Sequence, residues 1–121
     1  MAVVRYLVDD VDAAVAFYVD HLGFTVEQRM GPAFAIVTRL ELSLWLSGPQ
    51  SSAARPMPDG RRPEPGGWNR FVIVVEDLEA KVGELKRAGL GFRNEIVSGP
   101  GGKQIVLEDS AGNAVELFQP A

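Results

Sequence analysis

Apolar and polar residues follow two different periods along this chain, and the same order of periods occurs twice. Val3 to Val8 and Arg70 to Val75 are runs rich in β-branched residues, as expected for strands. Apolar residues at helical spacing follow each run: Val11, Val15, Tyr18 and Leu22 in the first half, and Leu78, Val82 and Leu85 in the second. Each half is therefore predicted to begin with a strand and a helix. Asp10 and Asp77 stand where the N-cap of each helix is expected.

The two halves also match residue by residue. Residues 3–13 align with residues 70–80 at an offset of 67, and Gly23-Phe24 aligns with Gly91-Phe92 at an offset of 68. One added residue in the loop after the helix explains the change of offset. An internal repeat that spans both halves predicts two copies of one structural module.

Three short extended runs follow each predicted helix. They are residues 24–29, 34–39 and 42–46 in the first half, and residues 93–97, 104–108 and 114–118 in the second. Between the halves, residues 47–67 contain five of the eight prolines, which predicts an extended rather than helical linker. The sequence thus predicts an α+β fold: a βαβββ module at 1–46, the linker loop at 47–67 and a second βαβββ module at 68–121, together forming one domain.

Composition narrows the possible functions. The 121 residues include no cysteine, which excludes disulfides, thiolate metal sites and cysteine nucleophiles, and a single histidine, which excludes a histidine dyad within one chain. A net charge of −4 opposes nucleic-acid binding, and no run approaches the roughly 20 apolar residues of a membrane span. The apolar run at the start of the sequence is too short for a secretory signal, because a charged residue, Arg5, interrupts it. A cytoplasmic location is expected.

Two stretches identify a family resemblance. Residues 10–18 (DVDAAVAFY) with Leu22-Gly23-Phe24, and residues 108–118 (EDSAGNAVELF), resemble signatures of the vicinal oxygen chelate superfamily of glyoxalases, bleomycin-resistance proteins and extradiol dioxygenases. The resemblance covers essentially the whole chain. It implies paired βαβββ modules whose curved mixed sheets surround a cavity, and a homodimer. It does not choose among enzymes and binding proteins, because this fold hosts both.

Enzymes of that superfamily hold a divalent metal with side chains from the first and last strands of each module. The resemblance carries those positions to Val3 and to Ser43 or Leu44 in the first module, and to Arg70 and Glu116 in the second. Valine has no donor atom and arginine offers no lone pair, so only Glu116 suits a cation. Glu41 joins it only if its strand slips by two residues. We therefore expect no cofactor. The alternative is one divalent metal (Fe, Mn, Ni or Zn) bound through Glu116 and Glu41.

The resemblance also implies that Arg70 and Glu116 face the same cavity. A hydrogen-bonded Arg–Glu pair would then occupy the space of the metal and direct its remaining N–H groups at a ligand. A purely structural ion pair is the competing interpretation. Aromatic residues Trp68, Phe118, Phe34 and Trp45 are candidates for stacking on a planar ligand, against ordinary packing in a core or a dimer interface.

Two functions follow from these residues. The first is a metal-free binding protein that resembles bleomycin-resistance proteins and sequesters a drug or natural product. The second is a metal-dependent lyase, isomerase or oxygenase, or a metal-free variant in which Glu116 is a general base. The residue types at the metal positions favour the first. The expected partners are a small molecule and a second copy of the chain.

Overall fold

The computed structural model describes all 121 residues, which divide into two compact units, Met1–Gly66 and Gly67–Ala121. The first unit contains β1 (Ala2–Leu7), α1 (Val11–Leu22), β2 (Thr25–Met30), β3 (Phe34–Arg39) and β4 (Leu42–Ser47). The second contains β5 (Val72–Val74), α2 (Leu78–Arg87), β6 (Val97–Gly99), β7 (Gly102–Glu108) and β8 (Ala114–Pro120). The predicted α+β fold of two βαβββ modules is confirmed. Neither helix is long and apolar enough to cross a membrane.

The first unit is a four-stranded mixed sheet in the order β1-β4-β3-β2, with α1 on one side. Side chains alternate between the faces of a sheet, and those of Ala35, Val37, Leu44 and Leu46 are fully buried on the face that α1 covers. The helix contributes its predicted stripe, in which Tyr18 is also fully buried. Burial of this many large apolar side chains, at roughly 1.5–3 kcal/mol each, stabilises the unit and leaves the other sheet face available.

The second unit repeats this arrangement in the order β5-β8-β7-β6. Leu78, Val82 and Leu85 of α2 are buried over a sheet face formed by Ile73, Ile105, Leu107, Val115 and Leu117. Both helices begin as predicted, since the Asp10 carboxylate accepts from Ala13 N at 3.1 Å and the Asp77 carboxylate accepts from Ala80 N at 3.1 Å.

Three local details differ from the prediction. The strand predicted at 93–97 is β6 at Val97–Gly99, and the preceding residues pair with β7 irregularly: Arg93 N donates to Val106 O, but the side chain of Asn94, rather than a backbone carbonyl, accepts from Val106 N at 3.0 Å. The linker is not wholly extended, because Ser52–Ala54 form one 3-10 turn. Ser47, which was assigned to the linker, is the last residue of β4.

The turn between β7 and β8 holds the second half of the sequence signature. Asp109 is buried, and its Oδ1 accepts from Ala111 N and Asn113 N, each at 2.9 Å, while its Oδ2 accepts from Asn113 Nδ2 at 3.1 Å. The carboxylate thus satisfies three donors at once, so the signature residues Asp109 and Asn113 serve the turn itself.

Replacing Asp109 by Asn tests this interpretation. The new amide turns one N–H donor towards Asn113 Nδ2, so we expect the free energy of unfolding to fall by about 1–2 kcal/mol in urea denaturation. Ser110→Ala, an exposed change in the same turn, is the matched control and should stay within about 0.5 kcal/mol of the parent. Equal stabilities for the parent and Asp109→Asn would contradict the assignment.

Candidate functional site

In each unit the sheet face opposite the helix carries the candidate site residues. We call it the open face of that unit. In the first unit the strand register places these residues on the open face: Val3, Arg5, Leu7, Thr25, Gln28, Met30, Phe34, Ile36, Thr38, Ser43, Trp45 and Ser47. Two of the aromatic residues predicted as ligand contacts, Phe34 and Trp45, therefore share one face. Their rings meet edge to face, with centroids 5.9 Å apart.

Arg5 completes this cluster, and it was not among the predicted site residues. Its guanidinium carbon lies 5.0 Å from the centroid of the Trp45 ring and 5.9 Å from that of Phe34. Arg5 Nη1 donates to Ser47 Oγ at 2.9 Å, and Trp45 Nε1 donates to Ser43 Oγ at 3.2 Å. The two serines are buried and fix the cation and the indole, so the cluster presents a cation beside two aromatic rings.

On the open face of the second unit, Arg70 and Glu116 form the predicted ion pair. Arg70 Nε and Nη2 both lie 3.0 Å from Glu116 Oε1, and the two side chains are 25% and 12% exposed. Arg70 Nη1 also donates to the carbonyl of Trp68 at 3.2 Å. Both contacts to the carboxylate end at Oε1, so one guanidinium group holds that oxygen through two of its nitrogens.

Trp68 and Phe118 lie in different surroundings. Phe118 is on β8, half-buried, and pairs in register with Val74 and Gln104. Trp68 precedes β5 instead of lying on it, so the alternation of side chains along a strand does not set its direction. The residue is 69% exposed, and its ring lies over Arg93, whose guanidinium carbon is 4.6 Å from the ring centroid.

Arg93 is a second residue that sequence reasoning missed. It donates to Glu108 Oε2 at 2.8 Å, to Gly67 O at 2.7 Å and to Gly112 O at 2.9 Å. These bonds join the segment before β5 to the β7–β8 turn and hold an exposed tryptophan in one place. No short motif marks this role, because the partners of Arg93, one carboxylate and two backbone carbonyls, are distant in sequence.

The sheet registers correct one predicted metal position. Arg5 pairs with Trp45 in the first unit, and Val72, its counterpart in the repeat, pairs with Glu116 in the second. Trp45, rather than Ser43 or Leu44, is therefore the counterpart of Glu116. The four positions hold Val3, Trp45, Arg70 and Glu116, and these side chains do not fit a divalent cation.

Glu41 does not extend this set. It lies in the turn between β3 and β4, its side chain is 92% exposed, and it faces the N-terminal amine at 4.0 Å. No group of three or more His, Cys, Asp or Glu side chains in the structure could hold a metal ion.

Comparisons with known proteins agree with this fold. The model of the Glyoxalase/Bleomycin resistance protein/Dioxygenase superfamily matches residues 1–117. Among solved structures, lactoylglutathione lyase from Agrobacterium tumefaciens is similar with a TM-score of 0.76 and 22% identity, over 98% of this chain and 92% of that one. An antibiotic binding protein from Streptomyces sp. CB03234 gives a TM-score of 0.73 and 23% identity, over 98% and 93% of the two chains.

A third similar structure is the bleomycin-binding protein from bleomycin-producing Streptomyces verticillus, complexed with copper(II)-bleomycin. Its TM-score is 0.66 at 25% identity, over 99% of this chain and 95% of that one. A search of curated protein sequences finds no match. The similar structures thus include a lyase and proteins that bind antibiotics, and the choice between these functions depends on the residues of the site.

Proposed function

Since the chain belongs to the Glyoxalase/Bleomycin resistance protein/Dioxygenase superfamily, whose model matches residues 1–117, we propose that it binds a planar aromatic small molecule without a metal ion and without converting it. The observation that carries the proposal is the replacement of metal-binding residue types by Val3, Trp45 and Arg70. The remaining carboxylate, Glu116, is held by Arg70 at 3.0 Å. A metal-dependent enzyme needs more donors than one paired carboxylate provides.

The residues that replace the metal ligands suit a binding surface. Trp45 and Phe34 offer aromatic faces and edges, which favour stacked or edge-to-face contacts with a flat ligand. In the second unit, Trp68 is exposed and held by Arg93, so little conformational entropy is lost when a ligand stacks on it. Arginine, tryptophan and tyrosine are also the residue types that contribute most to binding energies at interfaces. Sequestration of a drug or natural product requires such contacts and no chemical step.

Metal content is the first test. We expect the purified, untagged protein to retain far less than one metal ion per chain after incubation with Fe, Mn, Ni, Zn or Mg salts, as measured by elemental mass spectrometry. Glu116→Ala should retain the same low amount of metal as the parent. Stoichiometric metal in the parent that is lost in Glu116→Ala would overturn the proposal and favour the lyase, isomerase or oxygenase alternative.

Ligand binding is the second test, and the two tryptophans allow it to be read separately for each unit. Trp68→Phe leaves Trp45 as the only tryptophan, and Trp45→Phe leaves Trp68. We expect planar aromatic compounds to quench the emission of at least one single-tryptophan variant with saturable, micromolar dissociation constants, corresponding to about −8 kcal/mol. An absence of saturable quenching in both variants across an aromatic ligand panel would contradict the proposed function.

The proposal includes a homodimer and a cytoplasmic location, as expected from the family resemblance. Val3, Met30, Val72, Val74 and Val97 on the open faces are exposed large apolar side chains, which a second copy of the chain would cover. Sedimentation over a range of concentrations tests the assembly, and a monomer at all concentrations would remove it from the proposal.

A further inference from the structure

We propose that Arg5 selects ligands that carry an anionic group, a carboxylate, sulfonate or phosphate attached to an aromatic ring system. The inference deepens the proposed function and rests on it, because it names the chemical class of molecule that the open face of the first unit would bind. Three observations carry it: the cation has no acidic partner, two of its donors form a fork, and the strand residues on its face include no acidic side chain.

Arg5 differs in its partners from the other arginines that lie on or beside the open faces. Arg70 is paired with Glu116 at 3.0 Å and Arg93 with Glu108 at 2.8 Å. Arg5 takes part in no ion pair, and its polar partner is a neutral hydroxyl, Ser47 Oγ. Two of the three cations are thus neutralised by the chain itself. The third keeps its full charge.

The stacked position of Arg5 limits how a ligand can reach it. Trp45 and Phe34 lie 5.0 and 5.9 Å from its guanidinium carbon, and Nη1 is bonded to Ser47. The Nε and Nη2 donors remain, and they form the parallel fork that binds a carboxylate or a related oxyanion through two oxygens. A flat ligand with such a group would place its ring beside the two aromatic residues while its oxygens meet the fork.

The surrounding face offers no internal competitor for this cation. None of the strand residues that the register places on the open face of the first unit is Asp or Glu. The nearest acidic strand residue in sequence order is Glu27, the extra residue at the bulge of β2, and β2 is the edge strand farthest from β1. An anion is therefore the species that would neutralise Arg5. A neutral aromatic ligand would leave the charge uncompensated beneath it and lose affinity for that reason.

Two dyes with one ring skeleton provide the experiment. The probe 8-anilinonaphthalene-1-sulfonate is anionic, and N-phenyl-1-naphthylamine lacks the sulfonate and is neutral. Both are titrated into the full chain carrying Trp68→Phe, with quenching of Trp45 as the readout. We expect the anionic dye to bind more tightly. Arg5→Gln should weaken the anionic dye about tenfold, or about 1.4 kcal/mol, and change the neutral dye less than about twofold.

Two control variants separate the role of the cation from net charge and from folding. Arg29→Gln removes one positive charge from the same unit, but on the helix side, where Arg29 pairs with Asp12. It should leave the affinities for both dyes unchanged. Arg5→Lys keeps the charge without the fork and should restore only part of the affinity for the anionic dye. Unchanged anionic-dye affinity in Arg5→Gln, or equal affinity of the parent for both dyes, would overturn the inference and leave the proposed function standing. Failure of both dyes to quench Trp45 in the parent would overturn this assignment together with the aromatic site in the first unit.

Discussion

Gly102→Ala is expected to lower the free energy of unfolding by about 2–5 kcal/mol, because this position combines a strained backbone with a backbone contact. Gly102 has a φ of +145°, and a Cβ added there would overlap the carbonyl oxygen of Gln119 on the paired strand β8. A carbonyl within a β ladder cannot move aside as a flexible side chain can. The methyl group would therefore separate β7 from β8 at their end. Urea denaturation measured by circular dichroism gives the difference directly.

The neighbouring glycine supplies a matched control. Gly101 lies in the same turn, does not have a positive φ, and a Cβ added to it would meet nothing within 4 Å. Gly101→Ala should therefore be neutral, or stabilise by a few tenths of a kcal/mol through the lower entropy of the unfolded chain. Equal effects of the two substitutions would show that the contact with Gln119 is not the cause. In the Gly-Pro-Gly-Gly turn at 99–102, Gly102 is therefore required because the backbone of β8 lies too close for a side chain.

The repeat in the sequence was sufficient to predict the fold, because its signals are local. Helix starts depend on one capping carboxylate, and both Asp10 and Asp77 make the predicted bond to the third following amide. The buried stripes of the two helices follow from spacing along a single element. Local signals also fail locally: residues 93–96 were predicted as part of a strand, but Arg93 and Asn94 use their side chains to bond distant backbone groups, which interrupts the ladder.

The candidate site could be predicted only in part, because it depends on register. The Arg70–Glu116 pair could be proposed from the family resemblance, since it needs only the two positions to face the same side. To predict the cluster around Arg5, one must know that Arg5 pairs with Trp45 and that Trp45 pairs with Ile36. No sequence motif gives the relative positions of these three strands. A one-residue change of register would have turned Trp45 to the buried face. Trp68 is a different case, because Arg93 and not a strand sets its position.

Glu116→Ala should destabilise the protein by about 2–3 kcal/mol. Removing one partner of a buried ion pair leaves the other charge without compensation, which costs about 3–5 kcal/mol when both are fully buried, and the 25% exposure of Arg70 reduces that figure. Arg70→Met should also destabilise the protein, because it leaves the Glu116 carboxylate, which is only 12% exposed, without its partner. Both are measured by urea denaturation, with Glu95→Ala as the control, because that carboxylate is 91% exposed and 3.8 Å from Lys86.

The double variant Arg70→Met/Glu116→Leu completes the cycle. If the two charges interact mainly with each other, the double variant should be more stable than either single variant, with a coupling energy of about 1.5–3 kcal/mol. Additive effects would mean that solvent already screens the pair. Glu116 could then exchange Arg70 for a bound cation at small cost, and the metal-free proposal would rest on the residue types at the other positions alone. A large coupling energy would instead mean that a metal ion must first break a strong ion pair. Coordination by a single carboxylate would not compensate for the free energy lost with that pair.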